Sequence, residues 1–369
     1  MAYPKSVTGG VQMKKRELLT VLVGAGLVFV FIAMPFFCES VAQPQKRVVL
    51  SHGTFLPQSA VQHPAVKEFF KGLEDATGGA VKMEFHWAGT LGAAKELYGM
   101  TVDRLADTAT VCPQYNQGVF PMFSIFELPI QFPSGEVLTK AALKMYKKGY
   151  FDKDFANVKL VGLYTLSPYI LQCRERKVTT VEDFKGLKVR AGSAVTANMF
   201  KLFGAVPVQT STAEMYSNLQ KGVTDAEFTP FEAVIIFKTY EVIKYVNEWR
   251  TMTSAFVIPM NKEVWKALPK EGQAYIEKNW ENYSLKYAAA YDAAHGRAKE
   301  LLLKTPGREI INFAPGEKEK MNTILASVWE KWIADIEARG LPGKKAVSDL
   351  YQILKELGVE KPFVGYTPR

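Results

Sequence analysis

The protein has 369 residues, 48% of them hydrophobic and 22% charged, with 27 glycines, 19 prolines and only 3 cysteines. This composition excludes a disordered chain, a collagen-like repeat and a disulfide scaffold, and the length suggests two domains. The 46 lysines and arginines against 37 aspartates and glutamates give a net charge of +9. Because the basic residues are not clustered, we expect solvated charged faces and no nucleic-acid partner.

An apolar segment without a charged side chain occupies residues 18–37. At about 1.5 Å per residue, a helix of this length is about 30 Å long and could cross a bilayer. Basic residues precede it at 14–16, and Ser40 and Ala42 follow it where a signal peptidase requires small residues. This order predicts a cleaved signal peptide over residues 1–42, with an uncleaved membrane anchor as the alternative. In both cases the functional part lies outside the cytoplasm.

Strand-like and helical segments alternate from Val48 onward, which predicts a β-α-β-α-β unit with a parallel sheet. A second unit begins near Val158, and its first strand is a long apolar run from Leu160 to Gln172. Further strands are predicted at Leu187–Arg190 and Val206–Val208, each followed by a helix. Two such units predict an α/β protein with two lobes and a cleft at the carboxyl ends of the strands.

The last third of the chain has a different character, because long helical patterns replace the short alternating ones. Trp265 to Lys304 is predicted as a nearly continuous helix, and Glu317 to Glu337 as another. Long helices of this kind can brace both lobes. The second helix carries an apolar stripe with Trp329 and Trp332, which we interpret as core.

Catalytic motifs are few. The four histidines are scattered, no spacing sets two of them on one helix face, and neither a nucleophile elbow nor a phosphate-binding loop occurs in the exported part. We therefore expect no metal, no cofactor and no enzymatic activity. Cys112 and Cys173 could pair in an oxidising compartment, or both could be buried and free.

Arg190 ends a predicted strand, and Ser193 is placed to cap the helix that follows it. An arginine beside a helix amino terminus is a good receptor for a carboxylate, because the guanidinium fork matches two oxygens and the helix offers free N–H groups. The alternative is an arginine in a surface ion pair. The local pattern alone does not separate these two interpretations.

The segment that carries Arg190, Glu182-Asp183-Phe184-Lys185-Gly186-Leu187-Lys188-Val189-Arg190, resembles the signature of the extracytoplasmic solute-binding proteins of TRAP transporters, the DctP-like family. Other matching segments follow the family's order along the chain. They are Gly89–Gly92, Glu127–Pro129, Gly204–Val208 and Glu214–Ala226. The resemblance covers roughly Val48 to Leu268.

The resemblance implies a periplasmic receptor with the Venus-flytrap fold and long C-terminal helices bracing both lobes. Such a receptor captures a small organic acid and delivers it to a membrane permease driven by an ion gradient. We expect a monomer, with a dimer as the alternative, and hinge motion near Leu166, Thr253 and the long helix. The expected boundaries are 1–42 for the signal peptide, 43–167 for the first part of lobe I, 168–253 for the first part of lobe II, 254–305 for the return to lobe I and the long connecting helix, and 306–369 for C-terminal helices packing on lobe II.

The resemblance also implies site residues. Arg190 falls on the family's ligand-pairing arginine, which favours carboxylate binding. Thr229 falls where several relatives place an asparagine that contacts the ligand, and Thr212 falls where some relatives place an aromatic residue. Further candidates lie in segments that face the cleft in relatives, and they are Phe55, Tyr115, Phe231 and Phe256.

One more departure from the family pattern indicates how many carboxylates the substrate carries. Sialic-acid-type members carry a second arginine where this chain has Ile170, and the first cation after it is Arg174. We therefore expect a substrate with one dominant carboxylate and an apolar or modestly polar remainder, although Arg174 could still reach the ligand. The rival functions are a secreted α/β enzyme and a membrane-anchored ligand-sensing ectodomain.

Overall fold

Within residues 47–368, which the computed structural model describes, the strands form two mixed sheets covered by helices. The predicted signal peptide at 1–42 lies outside the described residues. In the described range, no helix has the length and apolar character needed to cross a membrane. The two sheets and their long C-terminal helices confirm the predicted two-lobed α/β architecture.

The first sheet has the strand order β2-β1-β3-β10-β4. Strand β1 pairs in parallel with β2 and β3, as the β-α-β-α-β pattern predicts. Strand β10 is antiparallel to both of its neighbours, because the chain returns to this sheet from the second one in the opposite direction. The elements are β1 Val48–Thr54, α1 His63–Ala76, β2 Val81–His86, α2 Leu97–Val102, β3 Thr108–Thr110, α3 Gly135–Lys147, β4 Val158–Thr165 and β10 Ala255–Asn261.

The second sheet has the strand order β11-β9-β5-β8-β6-β7. Strands β6, β7 and β8 are mutually parallel, whereas β5 runs antiparallel to β8 and β9. The elements are β5 Tyr169–Cys173, β6 Lys188–Ala191, α4 Ala194–Leu202, β7 Val206–Gln209, α5 Met215–Lys221, β8 Ala226–Pro230, α6 Phe231–Ile236, β9 Tyr245–Asn247 and β11 Glu309–Ile311.

The predicted long strand from Leu160 to Gln172 is two strands, since β4 belongs to the first sheet and β5 to the second. The break falls at Leu166–Pro168, where the proline has no N–H to donate to a strand ladder. A second crossing, residues 248–254, runs beside the first. Leu166 N donates to Ser254 O and Tyr169 N donates to Met252 O, each at 3.1 Å.

The predicted helix from Trp265 to Lys304 is also two elements, α7 Lys262–Ala267 and α8 Lys270–Lys304. The break falls at Pro269, which forms the N-cap of α8. Helix α8 packs against α1, α3 and β4 on one side of the molecule and against α6 and β11 on the other. It therefore braces both sheets.

The C-terminal helices are α9 Glu317–Glu337 and α10 Gly343–Glu356. The stripe of α9 is buried as predicted, with Trp329 fully buried, and α9 packs against α4 beside the second sheet. Helix α10 departs from the expectation that residues 306–369 pack on lobe II. Because the chain reverses after α9, the buried face of α10 meets α3 beside the first sheet.

The two cysteines of the described residues are buried and free. Cys112 follows β3 of the first sheet, whereas Cys173 ends β5 of the second. Of the two possibilities left open by the sequence, the structure shows free thiols. Burial raises the pKa of the Cys173 thiol to about 12, so this thiol is not a reactive nucleophile.

Candidate functional site

A small cavity of about 20 Å³ lies between the two sheets, beside the crossings. Its walls are largely apolar, with a small number of polar groups, which is typical of a small-molecule site. Its lining residues are Leu56, Gln114, Tyr115, Leu166, Tyr169, Thr212, Thr229, Pro230, Glu232, Ala233, Ile236, Phe237, Ser254, Phe256 and Tyr291.

Arg190 is fully buried next to this lining, in strand β6. Its Nε donates to Thr210 O at 2.9 Å and its Nη2 donates to the Tyr115 hydroxyl at 3.0 Å. Its Nη1 has no hydrogen-bond partner among the described residues. Arg190 is not itself a lining residue, but Tyr115, whose hydroxyl accepts its hydrogen bond, is one.

The closest carboxyl group to the guanidinium is that of Glu227, because parallel strands β6 and β8 place Arg190 and Glu227 in register. Glu227 Oε2 lies 4.0 Å from Arg190 Nε, too far for a hydrogen bond. Burial raises the pKa of Glu227 to about 8 against the opposing pull of Arg190. Burial disfavours the charge on Arg190, but Tyr115 and Glu227 outweigh it and raise the pKa of the guanidinium.

Arg190 is therefore charged, while burial disfavours the charge on Glu227 that would compensate it. A buried charge is costly unless it is paired and hydrogen-bonded. The unpartnered Nη1 and the incomplete charge compensation make the surroundings of Arg190, behind Tyr115 of the cavity wall, suited to an anion.

Helix α4 begins directly after the strand that holds Arg190. Ser193 forms its N-cap: the side chain accepts from Thr196 N, and the Thr196 side chain accepts from Ser193 N in return. The predicted cap is confirmed. Gly192 lies between them because a Cβ at this position would come within 2.7 Å of Gln114 Nε2. The glycine thus lets the Gln114 side chain approach the strand end.

Four of the sequence-predicted site residues line the cavity, and they are Tyr115, Thr212, Thr229 and Phe256. The Tyr115 hydroxyl donates to Thr212 Oγ1 at 3.2 Å and accepts from Thr212 N at 3.3 Å. The Thr229 hydroxyl accepts from Gln172 Nε2 at 2.7 Å. Phe55 packs behind this wall, with ring centroids 5.7 Å from Tyr115 and 5.8 Å from Phe256.

Two predicted residues lie elsewhere, Phe231 and Arg174. Phe231 is fully buried in the apolar cluster under α6, with its ring 4.7 Å from that of His295. Arg174 follows Cys173 at the end of β5 that pairs with Ala226, whereas the cavity borders the opposite end, where Tyr169 pairs with Pro230. The strand direction therefore carries Arg174 away from the cavity.

Glu232, a lining residue that the sequence patterns did not single out, brings a carboxyl group to this site. It is fully buried, and each carboxyl oxygen lies 3.0 Å from the Ser167 hydroxyl. A signal was available, because Glu232 interrupts the apolar run Phe231–Ile236 directly after a strand. Other missed lining residues are Gln114, Tyr169, Ser254 and Tyr291. Over residues 47–368, no three histidine, cysteine, aspartate or glutamate side chains are grouped to hold a metal ion.

Known proteins of similar sequence and fold bind organic solutes. The 2,3-diketo-L-gulonate-binding periplasmic protein YiaO of Escherichia coli is 28% identical over 75% of this chain and 83% of its own. The C4-dicarboxylate-binding periplasmic protein DctP of Rhodobacter capsulatus is 27% identical over 78% of this chain and 83% of its own.

A solved structure has a fold similar to that of this chain. The TRAP solute-binding protein of an unidentified marine metagenome microbe, specific for aromatic acid ligands and bound to metahydroxyphenylacetate, superposes with a TM-score of 0.78. It is 25% identical to this chain and covers 85% of this chain and 100% of its own.

The family assignment rests on a match across most of the chain. Residues 52–335 match the sequence model of DctP, the bacterial extracellular solute-binding protein family 7. The members of this family are binding proteins and not enzymes, in agreement with the expectation from the sequence. This chain, with its two braced sheets and its cavity between them, belongs to the DctP family of TRAP solute-binding proteins.

Proposed function

We propose that the protein is the periplasmic receptor of a TRAP transporter, which captures a small organic acid and delivers it to the membrane permease. The acid binds in the cavity between the sheets with its carboxylate on Arg190. The observation that carries this proposal is the fully buried guanidinium whose Nη1 has no partner among the described residues. A charge-assisted bond to a carboxylate contributes about 1.5–3 kcal/mol, which offsets part of the cost of burying that charge.

The substrate class follows from the walls of the cavity. Its lining contains no lysine or arginine within the described part of the chain, and Arg174 lies at the far end of β5. One guanidinium therefore supports one dominant carboxylate. Phe256, Leu166 and Tyr291 supply an apolar surface for the remainder of the ligand. The ligand of the marine relative, metahydroxyphenylacetate, is an acid of this class.

A thermal-shift screen of residues 43–369 against mono- and dicarboxylates tests the proposal. An acid present at a hundredfold excess over its Kd should stabilise the protein by about 2.7 kcal/mol. We expect Arg190→Ala and Arg190→Lys to lose this shift, whereas Arg297→Ala, which removes an exposed arginine of α8, keeps it. Equal shifts in all four proteins, or much tighter binding of dicarboxylates, would contradict the assignment.

The location is part of the same proposal. We propose that residues 1–42 are removed on export and that the mature chain is a periplasmic monomer. The mass of the protein purified from the periplasmic fraction should lack these residues. A full-length mass in the membrane fraction would instead support the anchored ligand-sensing ectodomain.

A further inference from the structure

Glu232 lines the cavity and carries a carboxyl group that has no part in the proposed binding of a carboxylate by Arg190. It is the second residue of α6 and is fully buried. Both of its oxygens lie 3.0 Å from Ser167 Oγ. The backbone amides of Ser167 and Glu232 also bond to this carboxyl. Because the two carboxyl oxygens together offer about four acceptor positions, these three partners leave capacity for one more hydrogen bond. Glu232 is one of the residues that line the cavity.

The backbone separation between Glu232 and the level of Arg190 can be read along β8. Glu227 is in register with Arg190 at one end of the strand, and the strand ends at Pro230, shortly before Glu232. At about 3.3 Å per residue, the path from Glu227 to Pro230 is about 10 Å. A ligand that binds Arg190 through its carboxylate and extends along β8 would bring its opposite end to Glu232.

The hydrogen-bonding capacity of Glu232 limits which chemical group of the ligand can lie beside it, at the end remote from the carboxylate. Burial raises the pKa of Glu232 to about 8, while the Ser167 hydroxyl and nearby backbone amides oppose the rise. A largely neutral carboxyl both donates and accepts hydrogen bonds, and its ionised form only accepts. A hydroxyl group pairs with either form. A second ligand carboxylate would face the ionised form as a like charge, which is unfavourable.

We propose that Glu232 is a specificity-determining residue that selects organic acids with a hydroxyl group at the end remote from the carboxylate. This proposal rests on the proposed function, since it takes the carboxylate to bind at Arg190. The geometry that supports it is a buried glutamate in the lining of the cavity, one strand length along β8 from the residue in register with Arg190.

The test compares paired probes that differ only in a remote hydroxyl. The pairs are benzoate with para-hydroxybenzoate, phenylacetate with para-hydroxyphenylacetate, and hexanoate with omega-hydroxyhexanoate. Isothermal titration gives the ratio of the two Kd values in each pair. For at least one pair we expect the hydroxylated acid to bind about tenfold more tightly, as one good hydrogen bond allows. Glu232→Leu should bring this ratio close to one, and Glu232→Gln should keep most of it.

The matched control is Glu330→Leu, which makes the same replacement at an exposed glutamate of α9 and should leave the ratio unchanged. If Glu232→Leu weakens both members of a pair equally, or the ratio survives in it, Glu232 has only a structural role and the proposal is overturned. The proposed function survives that failure if the acids bind to the wild type and Arg190→Lys abolishes their binding. If no acid binds the wild-type protein, the proposed function fails and this proposal fails with it.

Discussion

At the scale of single residues, the interior is unusual for the number of carboxyl groups it buries. Glu127, Glu227 and Glu232 are each at least nine-tenths buried. Ionising such a group in the interior is costly, so burial raises the pKa of all three, to about 7 for Glu127 and about 8 for the other two. A raised pKa means that the folded protein holds protons that the unfolded chain releases. These groups therefore stabilise the fold at low pH and cease to do so as pH rises.

Glu127 gives the clearest pH prediction, because it lies outside the lining of the cavity between the sheets. Burial raises its pKa from 4.5 to about 7. Its contribution to the free energy of unfolding is present below pH 4.5 and is lost as pH rises to 7. We compare the free energy of unfolding of Glu127→Gln with that of the wild type. Between pH 4.5 and pH 8 we expect this difference to shift in favour of the variant by at most about 3 kcal/mol.

Urea unfolding at pH 4.5, 6 and 8 measures this difference. Exposed Glu330→Gln serves as the control and should follow the wild type at every pH. A Glu127→Gln curve parallel to that of the wild type would show that the folded protein holds this carboxyl ionised.

At the scale of elements, helix ends and chain crossings fix the position of the site. The N-terminus of α4 is capped by Ser193 alone within the described contacts of that end. Helix α3 has both its own Ser134 and Asp292 of α8, whose oxygens accept from Gly135 N and Glu136 N at 2.8 and 3.0 Å. The first cap follows the strand that carries Arg190, and the second ties α8 to the start of α3.

Sequence patterns predicted the parallel part of each sheet and the cap at Ser193, because these depend on neighbours close in the chain. They did not predict that Leu160–Gln172 divides between two sheets, since both halves are apolar and only tertiary pairing separates them. The same limit applies to Glu232. Its exposure to the cavity depends on Ser167, which is 65 positions away in the chain.

The two caps should differ in their effect on stability. We expect Ser193→Ala to lower the free energy of unfolding by about 1 kcal/mol, because the Thr196 N–H loses its acceptor. Ser134→Ala should cost less, since Asp292 still accepts from the first N–H groups of α3. Urea unfolding of both variants at pH 7 checks this order. A larger loss for Ser134→Ala would contradict the role of Asp292.

Two helical glycines give opposite predictions. A Cβ on Gly135, the first residue of α3, would lie 2.7 Å from Thr165 O and 3.0 Å from Leu166 O at the crossing. We expect Gly135→Ala to destabilise the protein by about 1–3 kcal/mol, because backbone must move. A Cβ on Gly296 of α8 meets no described atom within 4 Å. Gly296→Ala should stabilise by about 0.5–1 kcal/mol. Thermal unfolding distinguishes them, and equal effects would contradict the close approach at Gly135.

At the scale of the whole molecule, side chains bridge the two sheets across the cavity. Tyr115 follows β3 of the first sheet, and its hydroxyl bonds to Arg190 and Thr212 beside the second. Gln117 Nε2 donates to Gln209 Oε1 at 3.2 Å in the same place. These bonds join the two sheets across the cavity in the arrangement that we call shut, and α8 and the two crossings also connect the sheets. The arrangement suits a receptor whose lobes part to admit a ligand.

Tyr115→Phe removes the central bridge while keeping the ring that packs on Phe55. Without the hydroxyl, Arg190 Nη2 and Thr212 N lose their acceptor, so the shut state becomes less favourable. If the shut fraction of the ligand-free protein falls tenfold, the apparent Kd for an acid rises about tenfold. Small-angle scattering should show a larger radius of gyration for the ligand-free variant than for the wild type, and saturating acid should remove the difference. Tyr216→Phe, which removes a hydroxyl bonded to exposed Glu241, should match the wild type in both measurements. An unchanged radius together with an unchanged Kd in Tyr115→Phe would show that other contacts hold the lobes together.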